Sequence, residues 1–148
     1  MDSTATKIER ARSVATGFRH AITVRYGECD MQGVVFNPNY LVYVDDVCDR
    51  WLTAALGPEW SSTFDCVVKK ATLEWHSAAR HGETIEFILS VTRWGGSSFD
   101  VRVAAAVGGR EIVTVDLVYV SVAPGTHTPT PVPDDVRSAL SSVAGQES

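Results

Sequence analysis

Residues 25–40 read RYGECDMQGVVFNPNY, and how this stretch is parsed decides the architecture. Before it, Phe18, His20, Ile22 and Val24 fall on one side of the chain and Arg19, Ala21, Thr23 and Arg25 on the other, which is the period of a β-strand. After it, Tyr40, Val44, Val47, Cys48, Trp51 and Ala55 recur at helical spacing, with Asp46, Asp49 and Arg50 opposite them. Asn37 suits an N-cap, and Pro38 suits the first helical position, where its missing N–H costs nothing. Gly57-Pro58 then stops the helix, which is predicted over 38–56. The quoted stretch is therefore a strand-to-helix loop. It carries Asp30 a few residues ahead of Gly33 and the apolar triplet Val34, Val35 and Phe36.

Working outward, four further strand-like runs occupy 66–78, 84–93, 98–107 and 111–122, broken by ARHGE, WGGSS and VGGR. Gly108-Gly109 between two β-rich runs marks a two-residue hairpin, so the last three runs read as an antiparallel meander. Residues 1–16 are polar and alanine-rich and read as a flexible arm, 17–123 as the single domain, and 124–148 as a proline-rich loop with a short C-terminal helix or tail. One helix cannot cover both faces of a five-stranded antiparallel sheet. The pattern is satisfied when the sheet wraps around one long central helix, an α+β arrangement. An edge strand left open in such a sheet invites pairing with a second copy, so a homodimer is expected.

Composition narrows the chemistry. At 148 residues the chain is long enough to bury a core without staples. A formal net charge of −5 argues against broad electrostatic binding of nucleic acid or of an anionic membrane surface. Cys29, Cys48 and Cys66 form no CxxC pair and no Cys/His spacing suited to zinc, which reads as reduced thiols, no metal and a cytoplasmic setting. Cys29 has no nearby histidine to serve as its base. No apolar run is long enough for a membrane span, and the first residues lack the apolar core of a secretory signal.

The segment RYGECDMQGVVFNPNYLVYVDD, with its D-x-x-G-x-V-x-x-P-N-Y core, and RWGGSSF further on resemble the 4-hydroxybenzoyl-CoA thioesterase-like branch of the hotdog-fold acyl-CoA thioesterases. The likeness runs from Phe18 to about Val122. It implies a hotdog fold and hydrolysis of an acyl-CoA thioester of a small aromatic or short-chain acid. It also implies a dimer or dimer of dimers with sites at the subunit interface, and no cofactor, coenzyme A being part of the substrate. By this resemblance Asp30 is the carboxylate that attacks the thioester carbonyl or activates a water, and the backbone N–H of Asn37 polarises that carbonyl. The chemistry of the residues agrees. A tetrahedral oxyanion needs a nucleophile or base plus a preorganised donor, and a helix start offers N–H groups and the positive end of a dipole. Gly33 permits the turn or the approach of the thioester, while Val34, Val35 and Phe36 exclude water. The plainer reading is that Asp30 is a turn residue and Asn37 a cap.

Asp45 sits at the edge of the apolar stripe, and the resemblance implies that it contacts a polar substituent on the acyl ring. Its alternative is a solvated or interface acid. Tyr40 is a candidate for the acyl pocket, as is His76 on its strand, although an aromatic at helical spacing is often plain core and a strand histidine is often hydrogen-bonded in place. In the resembling enzymes a basic cluster after the tryptophan pairs with the nucleotide phosphates. Here Gly95, Gly96 and Ser97 stand in that place, leaving Arg93, Ser97, Ser98 and backbone N–H groups to bind CoA. Two other functions fit the same fold: a thioesterase acting on an acyl-carrier protein, and a silent acyl-CoA sensor or accessory subunit. A hydratase fits poorly, because no histidine lies near Asp30 to share the proton transfer.

Overall fold

The computed structural model describes residues 17–142; the arm expected over 1–16 and the last residues of the tail lie outside them. The element order is β1 (Phe18–Thr23), a 3-10 turn (Tyr26–Glu28), α1 (Asn39–Leu56), a second 3-10 turn (Trp60–Ser62), β2 (Asp65–Trp75), β3 (Thr84–Trp94), β4 (Ser98–Val107), β5 (Arg110–Val122) and α2 (Asp134–Ser141). The strands form one sheet in the order β1-β3-β4-β5-β2, and every pairing is antiparallel. The meander β3-β4-β5 is as the turn signals predict. The strand that follows α1 joins the far edge of the sheet, beside β5, while β1 closes the other edge beside β3.

Alternation explains why α1 packs where it does. Phe87, Leu89, Phe99, Val101, Val103, Val113, Val115, Leu117 and Tyr119 are buried from strands β3 to β5. From α1, Tyr40, Tyr43, Val44, Val47, Cys48, Trp51 and Leu52 face them. Phe99 is the hub: Trp51, Phe64, Trp94 and Tyr119 all hold ring centroids within 6.5 Å of it. Tyr43 meets Phe87 edge-on at 6.0 Å, a favoured aromatic geometry.

Two sequence expectations need correcting. The long helix is not enclosed on all sides, since Leu41, Val42, Asp45, Asp49 and Arg50 remain exposed in the protomer. Val136 and Leu140 of α2 join the core, and the Arg137 guanidinium lies 5.0 Å over the Trp94 ring. The helix head also differs. α1 begins at Asn39 with Pro38 in the cap position and no side-chain cap hydrogen bond, so Asn37 does not cap it. Asn39 turns its side chain back to an earlier segment instead.

Because Phe99 joins the helix face to three other parts of the core, Phe99→Ala should lower the unfolding free energy by about 3–5 kcal/mol. Urea denaturation followed by tryptophan fluorescence measures this, and an unchanged midpoint would contradict the packing described.

Candidate active site

The loop after β1 is a small hairpin of its own. Cys29 bridges to Val35, the Asp30 N–H donates to Val34 O at 2.8 Å, and the Gly33 N–H donates to Asp30 O at 3.0 Å. Gly33 adopts φ +77°, a left-handed conformation in which any Cβ is strained, so the glycine is there for the turn. The Gln32 N–H donates to Asp30 Oδ1 at 2.8 Å. One carboxylate oxygen of Asp30 is thereby held in an Asx turn. The other has no partner among the described residues, and Asp30 is exposed.

The segment between β2 and β3 props this hairpin from behind. Val34 bridges to Arg80, and the Val35 N–H donates to Ala79 O at 2.9 Å. The Ala79 N–H in turn donates to the buried Tyr40 hydroxyl at 3.2 Å. Arg110 ties the same segment down through Ala78 O at 2.6 Å and Glu83 Oε2 at 2.7 Å.

Glu28 fastens the hairpin to the head of α1. Its backbone oxygen accepts from the Phe36 N–H at 3.0 Å and from Asn39 Nδ2 at 2.9 Å. Its carboxylate accepts from the Tyr43 hydroxyl at 2.9 Å, from the Arg25 N–H at 2.9 Å and from the Arg25 guanidinium. The Arg25 hydrogen bond holds the Glu28 carboxyl below the usual carboxylate range, against the opposing effect of burial. Burial, followed by the bond to Glu28, pushes the Tyr43 phenol above its ordinary value. Between Phe36 and Asn39, the Asn37 N–H has no acceptor among the described residues. It is a backbone donor at a helix start, where the dipole favours negative charge. Sequence reading missed Glu28, although an acid three residues after Arg25, at the close of a short turn, is a recognisable capping pattern.

Beside this head runs a trough of about 430 Å³ between α1 and the β2 edge. It is lined by Leu41, Val42, Val44, Asp45, Val68, Ala71, Leu117 and Tyr119. Asp45 is its only ionisable carboxylate, and Leu41, Val42 and Val68 are exposed apolar residues on its rim. The structure does not bring Val35, Tyr40 or His76 into this trough. Val35 and Tyr40 are 1% exposed and belong to the core, and His76 Nε2 lies 2.9 Å from Thr114 Oγ1 on β5. Phe36 is half exposed at 52%.

At the β3–β4 hairpin, Arg93 donates to both carboxylate oxygens of Asp100, at 3.1 and 3.2 Å, and to Ser98 Oγ at 3.2 Å. Its charge is thus matched by Asp100. Ser97 O accepts from the Ser121 N–H at 2.7 Å. A cation reaches this turn from elsewhere in the chain, because Arg137 of α2 donates to Gly95 O at 2.9 Å.

A family model described as the thioesterase-like superfamily matches residues 24–140. No curated protein sequence matches the chain. Among solved structures, a 4-hydroxybenzoyl-CoA thioesterase variant in complex with 4-hydroxybenzoyl-CoA superposes with a TM-score of 0.76 at 16% identity, covering 85% of this chain and 99% of that one. A 1,4-dihydroxy-2-naphthoyl-CoA thioesterase from Synechocystis gives 0.74 at 17% identity, covering 85% and 96%. A gentisyl-coenzyme A thioesterase gives 0.74 at 22% identity, covering 82% and 98%.

The three thiols differ in a way that can be measured. Burial pushes the Cys48 and Cys66 thiols up to about 12, which leaves almost no thiolate near neutrality. Cys29 is half buried in the hairpin. An aromatic disulfide reagent at pH 8 should therefore label Cys29 alone in the folded protein and all three thiols in denaturant. Rapid native labelling of Cys48 would contradict the core described.

Proposed function

The chain belongs to the thioesterase-like superfamily, and from that premise we propose that it hydrolyses an acyl-CoA thioester at the head of α1. One observation carries this reading: an exposed carboxylate with a free oxygen and an unpartnered backbone N–H share one tightly braced loop. The thioester carbonyl accepts from the Asn37 N–H, and Asp30 attacks the carbonyl carbon or draws a proton from a water that does so. The oxyanion forms against the helix dipole. When the tetrahedral intermediate collapses, the C–S bond breaks and the sulfur leaves as CoA thiolate and takes up a proton; where water attacked, the acyl group departs as free acid, and where Asp30 attacked, it stays on Asp30 as a mixed anhydride that a water then hydrolyses to the free acid and the Asp30 carboxylate. Gly33 keeps the turn that presents Asp30.

The acyl group lies in the trough, between Leu41, Val42 and Asp45 of α1 and Val68 and Ala71 of β2. A single carboxylate in a lining that is apolar apart from Tyr119 favours an acyl group that is aromatic and carries a hydroxyl, which Asp45 accepts from. Three structurally similar proteins act by name on CoA esters of hydroxylated aromatic acids, which supports that class. The CoA portion is assigned to the β3–β4 hairpin. There the Ser97 and Ser98 hydroxyls and backbone N–H groups meet phosphate, and Arg137 supplies positive charge beside Arg93.

A second reading is favoured by one observation. The Asp30 carboxylate already serves a turn through the Gln32 N–H, as a purely structural aspartate does. On that reading the protein binds acyl-CoA without turning it over. A panel of aromatic, short-chain and long-chain acyl-CoA thioesters separates the two. We expect turnover of hydroxylated aroyl-CoA and a loss of roughly three orders of magnitude or more in kcat on Asp30→Asn. Saturable binding with no turnover of any thioester would establish the silent reading, and full activity in Asp30→Asn would remove Asp30 from the mechanism.

The trough is open along β2, and a second copy of the chain closes it. β2 is an edge strand whose Val68 and Trp75 are 49% and 48% exposed. Residues Lys70, Thr72 and Glu74 point to the face away from α1, opposite Val118, Asp116 and Thr114. Antiparallel pairing of β2 with its own copy must set residues of one face opposite each other. Centring the two-fold on Thr72 places each Lys70 opposite Glu74 of the partner subunit, whereas centring it on Lys70 or Glu74 sets like charges opposite. Each such pair contributes roughly 0.2–1 kcal/mol and a like-charge pair opposes by a similar amount. Lys70→Glu and Glu74→Lys should each weaken the dimer in analytical ultracentrifugation, and the double swap should restore it. A double variant weaker than either single one would exclude this register.

A further inference from the structure

We infer that Glu28, acting with Tyr43, is a positioning residue that sets the Asn37 N–H relative to Asp30; this rests on the thioesterase reading above and deepens it. Glu28 lies two residues before Asp30 and is bonded on both sides of Asn37, through Phe36 and Asn39 to its backbone oxygen. Those two bonds fix the peptide whose N–H is left free. The backbone oxygen can hold them only if Glu28 itself is fixed, and its side chain does that. Tyr43 comes from the next turn of the same helix, is 4% exposed, and donates its hydroxyl to Glu28 Oε1. The Glu28 side chain is only 17% exposed, against 79% for its other side-chain partner, Arg25. The buried phenol is therefore the rigid anchor and the guanidinium a solvated one. One residue thus links the helix head at two points, Asn39 and Tyr43, to the strand that turns into Asp30. Neither side chain touches the reacting atoms, and both act through the peptide they hold.

The test compares Tyr43→Phe, which keeps the ring packed against Phe87, with Val136→Ala, a core truncation on α2 remote from the loop. Tyr43→Phe should lower kcat on the best thioester about tenfold, the scale of one lost hydrogen bond in the transition state, with KM nearly unchanged. Val136→Ala should lower the melting temperature at least as much and leave kcat near wild type. Glu28→Gln keeps an oxygen to accept from Tyr43 and should retain more kcat than Glu28→Ala. In parallel, the ¹H–¹⁵N resonance of the Asn37 amide should move in Tyr43→Phe and stay in Val136→Ala. Loss of kcat in proportion to stability for both variants, or an unmoved Asn37 amide in Tyr43→Phe, overturns the inference. The amide reading does not depend on turnover. If no thioester is cleaved by the wild type, the catalytic proposal fails while the positioning is still decided by the resonance.

Discussion

A helix that starts without a side-chain cap must satisfy its first backbone donors from elsewhere, and at the head of α1 this constraint organises the surrounding chain. The Asn39, Tyr40 and Leu41 N–H groups turn to the carbonyls of Phe36, Asn37 and Pro38, a tight first turn with three-residue spacing. Pro38 has no N–H to satisfy. Asn39 gives its amide to Glu28 O rather than to the helix. What is left is one donor, the Asn37 N–H, at the positive end of an 18-residue helix. The hairpin bearing Asp30, the Ala79 brace behind it and the buried Tyr43 beneath it all bear on where that donor points.

The remainder of the fold serves that arrangement by packing α1 tightly against the sheet. Its buried face meets a sheet whose inner side is aromatic around Phe99, and close packing of this kind transmits small displacements rather than absorbing them. Its exposed face, Leu41, Val42 and Asp45, is left to line the trough. The same helix therefore supplies the proposed oxyanion donor at its end and the proposed acyl wall along its side.

Much of this was legible in residue order. The alternation of Phe18, His20, Ile22 and Val24 marks β1, the period of Tyr40, Val44, Val47 and Trp51 marks the helix face, and Gly108-Gly109 marks the last hairpin. Asp45 at the edge of the stripe follows from the helical wheel. What was not legible depended on distant partners. No local signal sends β2 to the far edge of the sheet. Asn37 looked like a cap because the type of residue fits, but Asn39 finds Glu28 O eleven positions back. The role of Tyr43 was invisible because its hydroxyl partner, Glu28, lies fifteen positions back. Arg93 looked free for phosphate, yet hairpin register sets it opposite Asp100, which alternation alone could have revealed.

Where a thioester carbonyl sits is measured directly by the structure of Asp30→Asn with an intact hydroxylated aroyl-CoA bound. The carbonyl oxygen is expected within about 2.7–3.1 Å of the Asn37 nitrogen, with the ring in the trough beside Asp45. A thioester bound with its carbonyl turned away from the head of α1, or seated on another part of the surface, would contradict this placement.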